Sequence, residues 1–219
     1  MVHGVGEQTG TFASGARSRL RAALSERGEG LVAAPVHWAP LADQHEHAFM
    51  KSVKRAGSRG NLSQSLTIGT LSDALAYQAN DRLRAQIHFL MDYEYGQLRS
   101  PRPVIFAHSL GGLIALDWLR SRPQAKIGKL VTFGCNVGIF YLGKEFDCPN
   151  QVKLPGQWLN YWDENDLLGF PLAVRPEFMH VRDKEVSVGG WFTGWTGLAH
   201  LGYWNNRKLW SRTIPGDLR

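Results

Sequence analysis

The run Pro103-Val104-Ile105-Phe106-Ala107-His108-Ser109-Leu110-Gly111-Gly112 constrains the fold more than any other part of this chain. Residues 103–107 are apolar and rich in β-branched and aromatic types, the composition of a strand buried on both faces. Leu113, Ile114, Leu116, Trp118 and Leu119 then follow helical spacing until Pro123, whose fixed φ and missing N–H end the helix. A buried strand running straight into a helix leaves room only for a sharp turn, and Ser109 stands on it. The residues two before and two after such a turn must be small, because larger ones would strike neighbouring strands; Ala107 and Gly111 meet that demand. Gly112 allows close packing of the helix. Ser109 is a candidate nucleophile, and capping the helix is the other role open to a serine here.

Further β-type runs at residues 1–3, 31–38, 128–134, 156–162 and 178–188 alternate with helical spacing over 13–27 and 71–95. That alternation predicts an α/β fold, with a mostly parallel central sheet and helices on both faces. At 219 residues and 43% hydrophobic composition, the chain is read as one domain, 1–219, with a single core. Residues 39–70 break the pattern with Gly57, Gly60 and Asn61, and form a loop insertion that is a candidate cap. If the first strand begins at residue 1, a natural start further upstream is expected.

The opening His3-Gly4-Val5-Gly6 resembles the loop after the third sheet strand in bacterial lipases and esterases. With the Ser109 turn, it gives the chain a resemblance to the α/β-hydrolase superfamily, in a compact lipase- or esterase-like form. The turn departs from the strict Gly-x-Ser-x-Gly string of that family at Ala107. In those families the residue after the first glycine of the loop donates its backbone N–H to the oxyanion, a role that falls on Val5 here. Leu110, at the positive end of the helix behind Ser109, offers the second N–H. Leu130–Gly138 is similar to the next strand of such hydrolases, commonly Thr-x-Gly-Ser-Pro, with Cys135 and Asn136 in place of Ser and Pro. Cys135 reads as a small buried filler.

In this superfamily the acid and then the histidine follow the serine, which sets aside His3, His37, His45, His47, His88 and His108. His200, after a glycine-rich loop, is favoured as the base. His180, in a strand-like run, reads as a core or edge residue. The carboxylate-rich turn after residue 162 offers Asp163 and Asp166. The similarity of Asn165–Pro171 to the Asp-Ile-Val-Pro type segment of lipases favours Asp166; Asp163 reads as a turn or cap residue, and Asp183 is a third choice. The resemblance thus implies attack by Ser109 on an acyl carbon, with His200 taking its proton, Asp166 holding the imidazolium, and no metal or organic cofactor. The spacing of His45 and His47, without a carboxylate or Cys cluster, does not suggest a metal pair.

The formal charge of +6 is scattered, apart from Lys51, Lys54, Arg55 and Arg59, and no zinc-finger spacing or aromatic-basic interleaving points to nucleic acid. Cys135 and Cys148 make no disulfide framework, and no stretch of ~18 apolar residues is present, so a cytoplasmic protein without stable membrane insertion is expected. The expected partner is a small-molecule acyl ester. Leu71–Tyr77 resembles a helix start in lipase-like proteins, and Trp191, Phe192, Trp195, Trp204 and Trp210 supply either an aromatic wall or core, which tilts the substrate toward lipid or other hydrophobic esters. The rival readings are a noncatalytic binding or scaffold protein of the same fold, and a thioesterase, peptidase or acyltransferase with the same residues.

Overall fold

Strands β1 (Val104–His108), β2 (Lys129–Phe133), β3 (Gln157–Trp162) and β4 (Val181–Glu185) form a parallel sheet in the order β1-β2-β3-β4. The computed structural model describes residues 1–4, 11–26, 30–45, 73–140, 156–189 and 198–218. Parallel neighbours need crossover connections, and a twelve-residue helix supplies the one between β1 and β2. The helices are α1 (Ser14–Ser25), α2 (Ala39–His45), α3 (Asp81–Gly96), α4 (Leu110–Ser121), α5 (Val137–Phe140), α6 (Leu198–Gly202) and α7 (Ile214–Asp217), with a π-helical turn over Leu209–Thr213.

Successive side chains of a strand point to opposite faces, and the register turns that rule into two cores. Ile105, Leu130, Trp158 and Val181 lie side by side across the four strands and pack into one cluster with α3 and α4. Their neighbours Phe106, Val131 and Leu159 face the opposite layer, where α1 and the C-terminal Trp210 and Ile214 cover them. Helix α4 is buried almost all round, from Leu110 to Leu119, as a helix pressed between a sheet and a second helix must be. Each fully buried Leu or Ile there contributes about 1.5–3 kcal/mol.

The strand expected over 1–3 is a single bridging residue: Val2 pairs in parallel with both Ala107 and Val36, so the sheet extends beyond β1 by isolated rungs. The run over 31–38 likewise contributes only Val36. The helix expected over 71–95 is two helical segments, 73–79 and α3, separated at Asn80. The Asn80 backbone is extended and its side chain accepts from Leu83 N–H at 3.0 Å, so it caps α3 and cannot continue the preceding helix. His180 precedes β4 and is exposed, correcting its placement in a strand, and only Val181–Glu185 of the run 178–188 is strand. Of the insertion over 39–70, α2 is described; residues 46–72, with the basic cluster and Leu71, lie outside the described residues. Among the described residues no helix is long and apolar enough to cross a membrane.

Candidate active site

The carboxyl ends of parallel strands, where chains leave the sheet in loops, are where α/β folds place their chemistry. The ladder continues one step past β1 and β2: Ser109 N–H donates to the Phe133 carbonyl at 3.1 Å, and Gly134 N–H donates to the Tyr161 carbonyl at 3.1 Å. Ser109 and Gly134 thus stand on the sheet's carboxyl edge. Ser109 has φ 54° and ψ −125°, the only positive φ outside glycine among the described residues. A side-chain-bearing residue in that region costs about 1–3 kcal/mol, strain the surrounding structure must hold. It is held by contacts with no slack: a Cβ on Gly111 would come 2.6 Å from the His3 carbonyl oxygen, and one on Gly4 would come 2.7 Å from Ser109 Cβ. Gly112 sits against Cys135, whose Sγ a Cβ there would meet at 2.6 Å. Burial pushes the Cys135 thiol up to about 12, which suits a packed filler and not a nucleophile.

Ser109 is buried, and its side chain does not cap α4; its Oγ has no hydrogen-bond partner among the described residues. Leu110 opens that helix, where the first N–H groups lack partners within the helix. Gly4 is described beside Ser109, whereas Val5, the other expected oxyanion donor, lies outside the described residues.

His200 sits on the short helix α6, not in an open loop. Its Nδ1 is 2.9 Å from both Oδ1 and Oδ2 of Asp166, and its buried Nε2 has no partner among the described residues. Burial alone would raise the Asp166 carboxyl, but the hydrogen bond and charge of His200, with the Leu168 N–H, outweigh it and hold the group below the ordinary carboxylate range. His108 ties this pair to the serine turn. Its Nε2–H donates to the His200 carbonyl at 2.8 Å, and the two rings lie 4.8 Å apart. Burial, then the neighbouring His200, push the His108 imidazole down to about 3, so it is neutral and donates from Nε2.

The other carboxylates are spent on the backbone. Asp163 accepts from the N–H groups of Asn165, Val188 and Gly189 and from the Asn165 amide. Asp183 accepts from Leu172 N–H, Ala173 N–H and Asn160 Nδ2, and so holds the loop leaving Asp166 against the sheet. Among the described residues, neither is hydrogen-bonded to a histidine. Sequence reasoning overlooked His108 as a tie to His200, and also Tyr203, which accepts from Asp163 N–H at 3.0 Å. A signal for Tyr203 was available: it follows His200 by three residues, and one helical turn places such a pair on one side.

Among the described residues no group of three or more His, Cys, Asp or Glu is placed to hold a metal ion. His47, Cys148, Trp191, Phe192 and Trp195 lie outside the described residues; Trp204 and Trp210 are buried and stacked 5.5 Å apart, part of the core behind His108 and Phe133. Leu167, Phe170 and Leu201, next in sequence or close to Asp166 and His200, are exposed apolar residues. Compared with protein-family models, with curated proteins and with solved structures, the chain matches none.

Proposed function

We propose that this chain is a serine hydrolase of the α/β-hydrolase type that cleaves carboxylic esters, with Ser109 as nucleophile, His200 as base and Asp166 as the acid that orients it. One observation carries the reading. A buried Ser109 hydroxyl on a strained strand-to-helix turn and the buried His200 Nε2 are both without partners among the described residues, while the other nitrogen of the same imidazole is engaged by a buried carboxylate. Burying two polar atoms unpaired costs about 1–3 kcal/mol each, a cost that a site for an incoming polar group accounts for. The parallel order Val36, Val2, β1, β2, β3, β4, with the serine after β1 and the acid after β3, supports the same reading.

In this mechanism His200 Nε2 takes the hydroxyl proton as Ser109 Oγ bonds to the acyl carbon, and Asp166 stabilises the imidazolium. The oxyanion is met by N–H groups at the start of α4, Leu110 first; the resemblance to bacterial lipases and esterases assigns the second donation to Val5. Collapse expels the alcohol with the proton from His200, and water activated by the same nitrogen frees the acid from the acyl-serine. The exposed Leu167, Phe170 and Leu201 favour an apolar acyl group.

A fluorophosphonate probe tests the proposal: covalent labelling that disappears in Ser109→Ala is expected. An unlabelled protein, or a labelled Ser109→Ala, would sink it and leave the noncatalytic binding reading. In a chain-length series of p-nitrophenyl esters, equal rates at all lengths would remove the apolar acyl preference.

A further inference from the structure

We infer that Asn160 is a positioning residue for Asp166: from the middle of a polar row across the sheet, it seats the segment that carries the carboxylate. This rests on the reading of Asp166 and His200 as acid and base. Ile105, Leu130, Trp158 and Val181 form an apolar row under α3 and α4, and the pleat returns to the same face two residues later. The next row, one step closer to the carboxyl edge, is Ala107, Thr132, Asn160 and Asp183. Thr132 and Asn160 are fully buried there, where packing alone would favour apolar side chains.

Hydrogen bonds give this row a single direction. Trp158 Nε1–H can only donate, and it donates to Thr132 Oγ1 at 2.9 Å. The Thr132 hydroxyl in turn donates to Asn160 Oδ1 at 2.8 Å, the Leu159 carbonyl at 3.5 Å being the weaker acceptor. With Oδ1 so engaged, Asn160 Nδ2 donates to the Phe170 carbonyl at 3.0 Å and to Asp183 Oδ1 at 2.7 Å. A flipped amide would set its oxygen against that carbonyl and that carboxylate, so the side chain has one orientation.

The seat reaches Asp166 within four residues. Asp166 Oδ1 accepts from Leu168 N–H at 2.9 Å and its carbonyl from Gly169 N–H at 3.3 Å, which closes a tight turn. Gly169 lies against the floor of the site, since a Cβ there would strike Asp166 Oδ2 and come 2.7 Å from Gly134 Cα. Phe170 follows at once and is held at both backbone groups, its N–H by the Cys135 carbonyl at 3.3 Å and its carbonyl by Asn160. Asp183 then accepts from Leu172 and Ala173 N–H at 3.0 and 2.7 Å. His200 Nδ1 is 2.9 Å from each Asp166 oxygen, so a small shift of the turn changes which oxygen it meets.

The test is Asn160→Leu, which keeps the shape and removes the donors. It is read by p-nitrophenyl ester kinetics and by the far-downfield proton resonance of His200 Nδ1–H, assigned by its absence in His200→Gln. We expect kcat to fall about tenfold to a hundredfold, the scale for groups that orient functional ligands, with KM unchanged and the resonance moved. A folded Asn160→Leu protein with wild-type kcat and an unmoved resonance overturns the inference, even if its urea midpoint is lower. Should it not fold, two variants of Thr132 decide. Thr132→Val loses the hydroxyl that orients the amide and is expected to lower kcat and move the resonance; Thr132→Ser keeps the hydroxyl and is expected to recover most of both. Equal behaviour of the two overturns the inference. The resonance needs no substrate, so a wild-type protein whose Ser109 is not labelled by fluorophosphonate defeats the ester-hydrolase reading alone.

Discussion

Two buried aspartates three residues apart in the turn after β3 are put to opposite uses. Asp163 is surrounded by donors that cannot change their charge, namely the N–H groups of Asn165, Val188 and Gly189. Among the described residues, Asp166 receives one backbone donor, Leu168 N–H, and an imidazole. Burial works against ionisation of both, and in both the hydrogen bonds overcome it and hold the carboxyl below its ordinary value. Depressed titration therefore does not separate a structural carboxylate from a chemical one. What separates them is whether the partner can take up a proton: Asp163 ties the strand-to-helix segment near residues 188–189 to the turn, while Asp166 stabilises a charge that would appear only when His200 is protonated.

The largest effect that would break this comparison is on turnover. Asp166→Asn is expected to lower kcat about 10⁴-fold while leaving the circular dichroism spectrum intact, because the amide keeps the shape but stabilises neither the needed tautomer nor the imidazolium. If Asp163→Asn instead collapses turnover and Asp166→Asn does not, the two roles are reversed. The next effect is on stability. Asp163→Ala strips acceptors from three backbone donors at once and is expected to cost about 3 kcal/mol, read as a lower urea midpoint with an unchanged slope. A loss well under 1 kcal/mol would mean that water replaces the carboxylate there.

A third substitution bears on both roles together. Gly134 has φ +54°, and a Cβ on it would crowd Tyr203, Asp166 and His200. Gly134→Ala is expected to cost about 2 kcal/mol from the backbone conformation and to lower kcat through displacement of the pair. An alanine variant with full turnover would show that the carboxylate and imidazole have more freedom than their distances suggest.

Local rules carried the sequence reading furthest where one segment decides its own structure. Pro103–Gly112 needed only a buried strand, a helix and two small residues to place Ser109, and the β-type runs over 128–134 and 156–162 contain β2 and β3. Composition could not say how many partners a β-type run finds, so residues 1–3 and 31–38 read as strands although each contributes one bridging residue. The break at Asn80 was hidden by apolar spacing that runs on from Tyr77 to Leu83; the Asn80-Asp81 pair, a cap followed by a carboxylate in the first turn, was the signal to weigh against it. For the acid, Asp-x-Asn at 163–165 is the mark of an Asx turn and already tied Asp163 to its own backbone. The hold of His108 on His200 joins positions 92 apart in sequence, and no local pattern encodes that pairing.

The smallest expected effect concerns histidines that, like Asp163, serve structure, and it is a matter of pH. Burial pushes both His3 and His108 down to about 3, and each is held neutral by its bonds: His3 Nε2 accepts from Trp38 N–H at 3.1 Å while His108 donates to the His200 carbonyl. The unfolded chain binds these protons near the ordinary value of 6.5, so between about 6.5 and 3 it holds more protons than the folded one. Stability from this source is then complete above pH 6.5 and lost as the pH falls toward 3, by up to about 1.4 kcal/mol per pH unit for each histidine. Asp166 and Asp163, with folded values below their unfolded ones, lose their contributions only at lower pH, below the ordinary carboxylate value of 3.8 and through the folded one. Thermal unfolding measured from pH 7 to pH 5 separates the two sources: the melting temperature should fall in that window, and His108→Gln, which keeps a donor but cannot be protonated, should make the fall shallower. An equal slope in the variant would mean that His108 gains a proton in the folded protein without cost, and the tie between the serine turn and His200 would have to be carried by a charged ring.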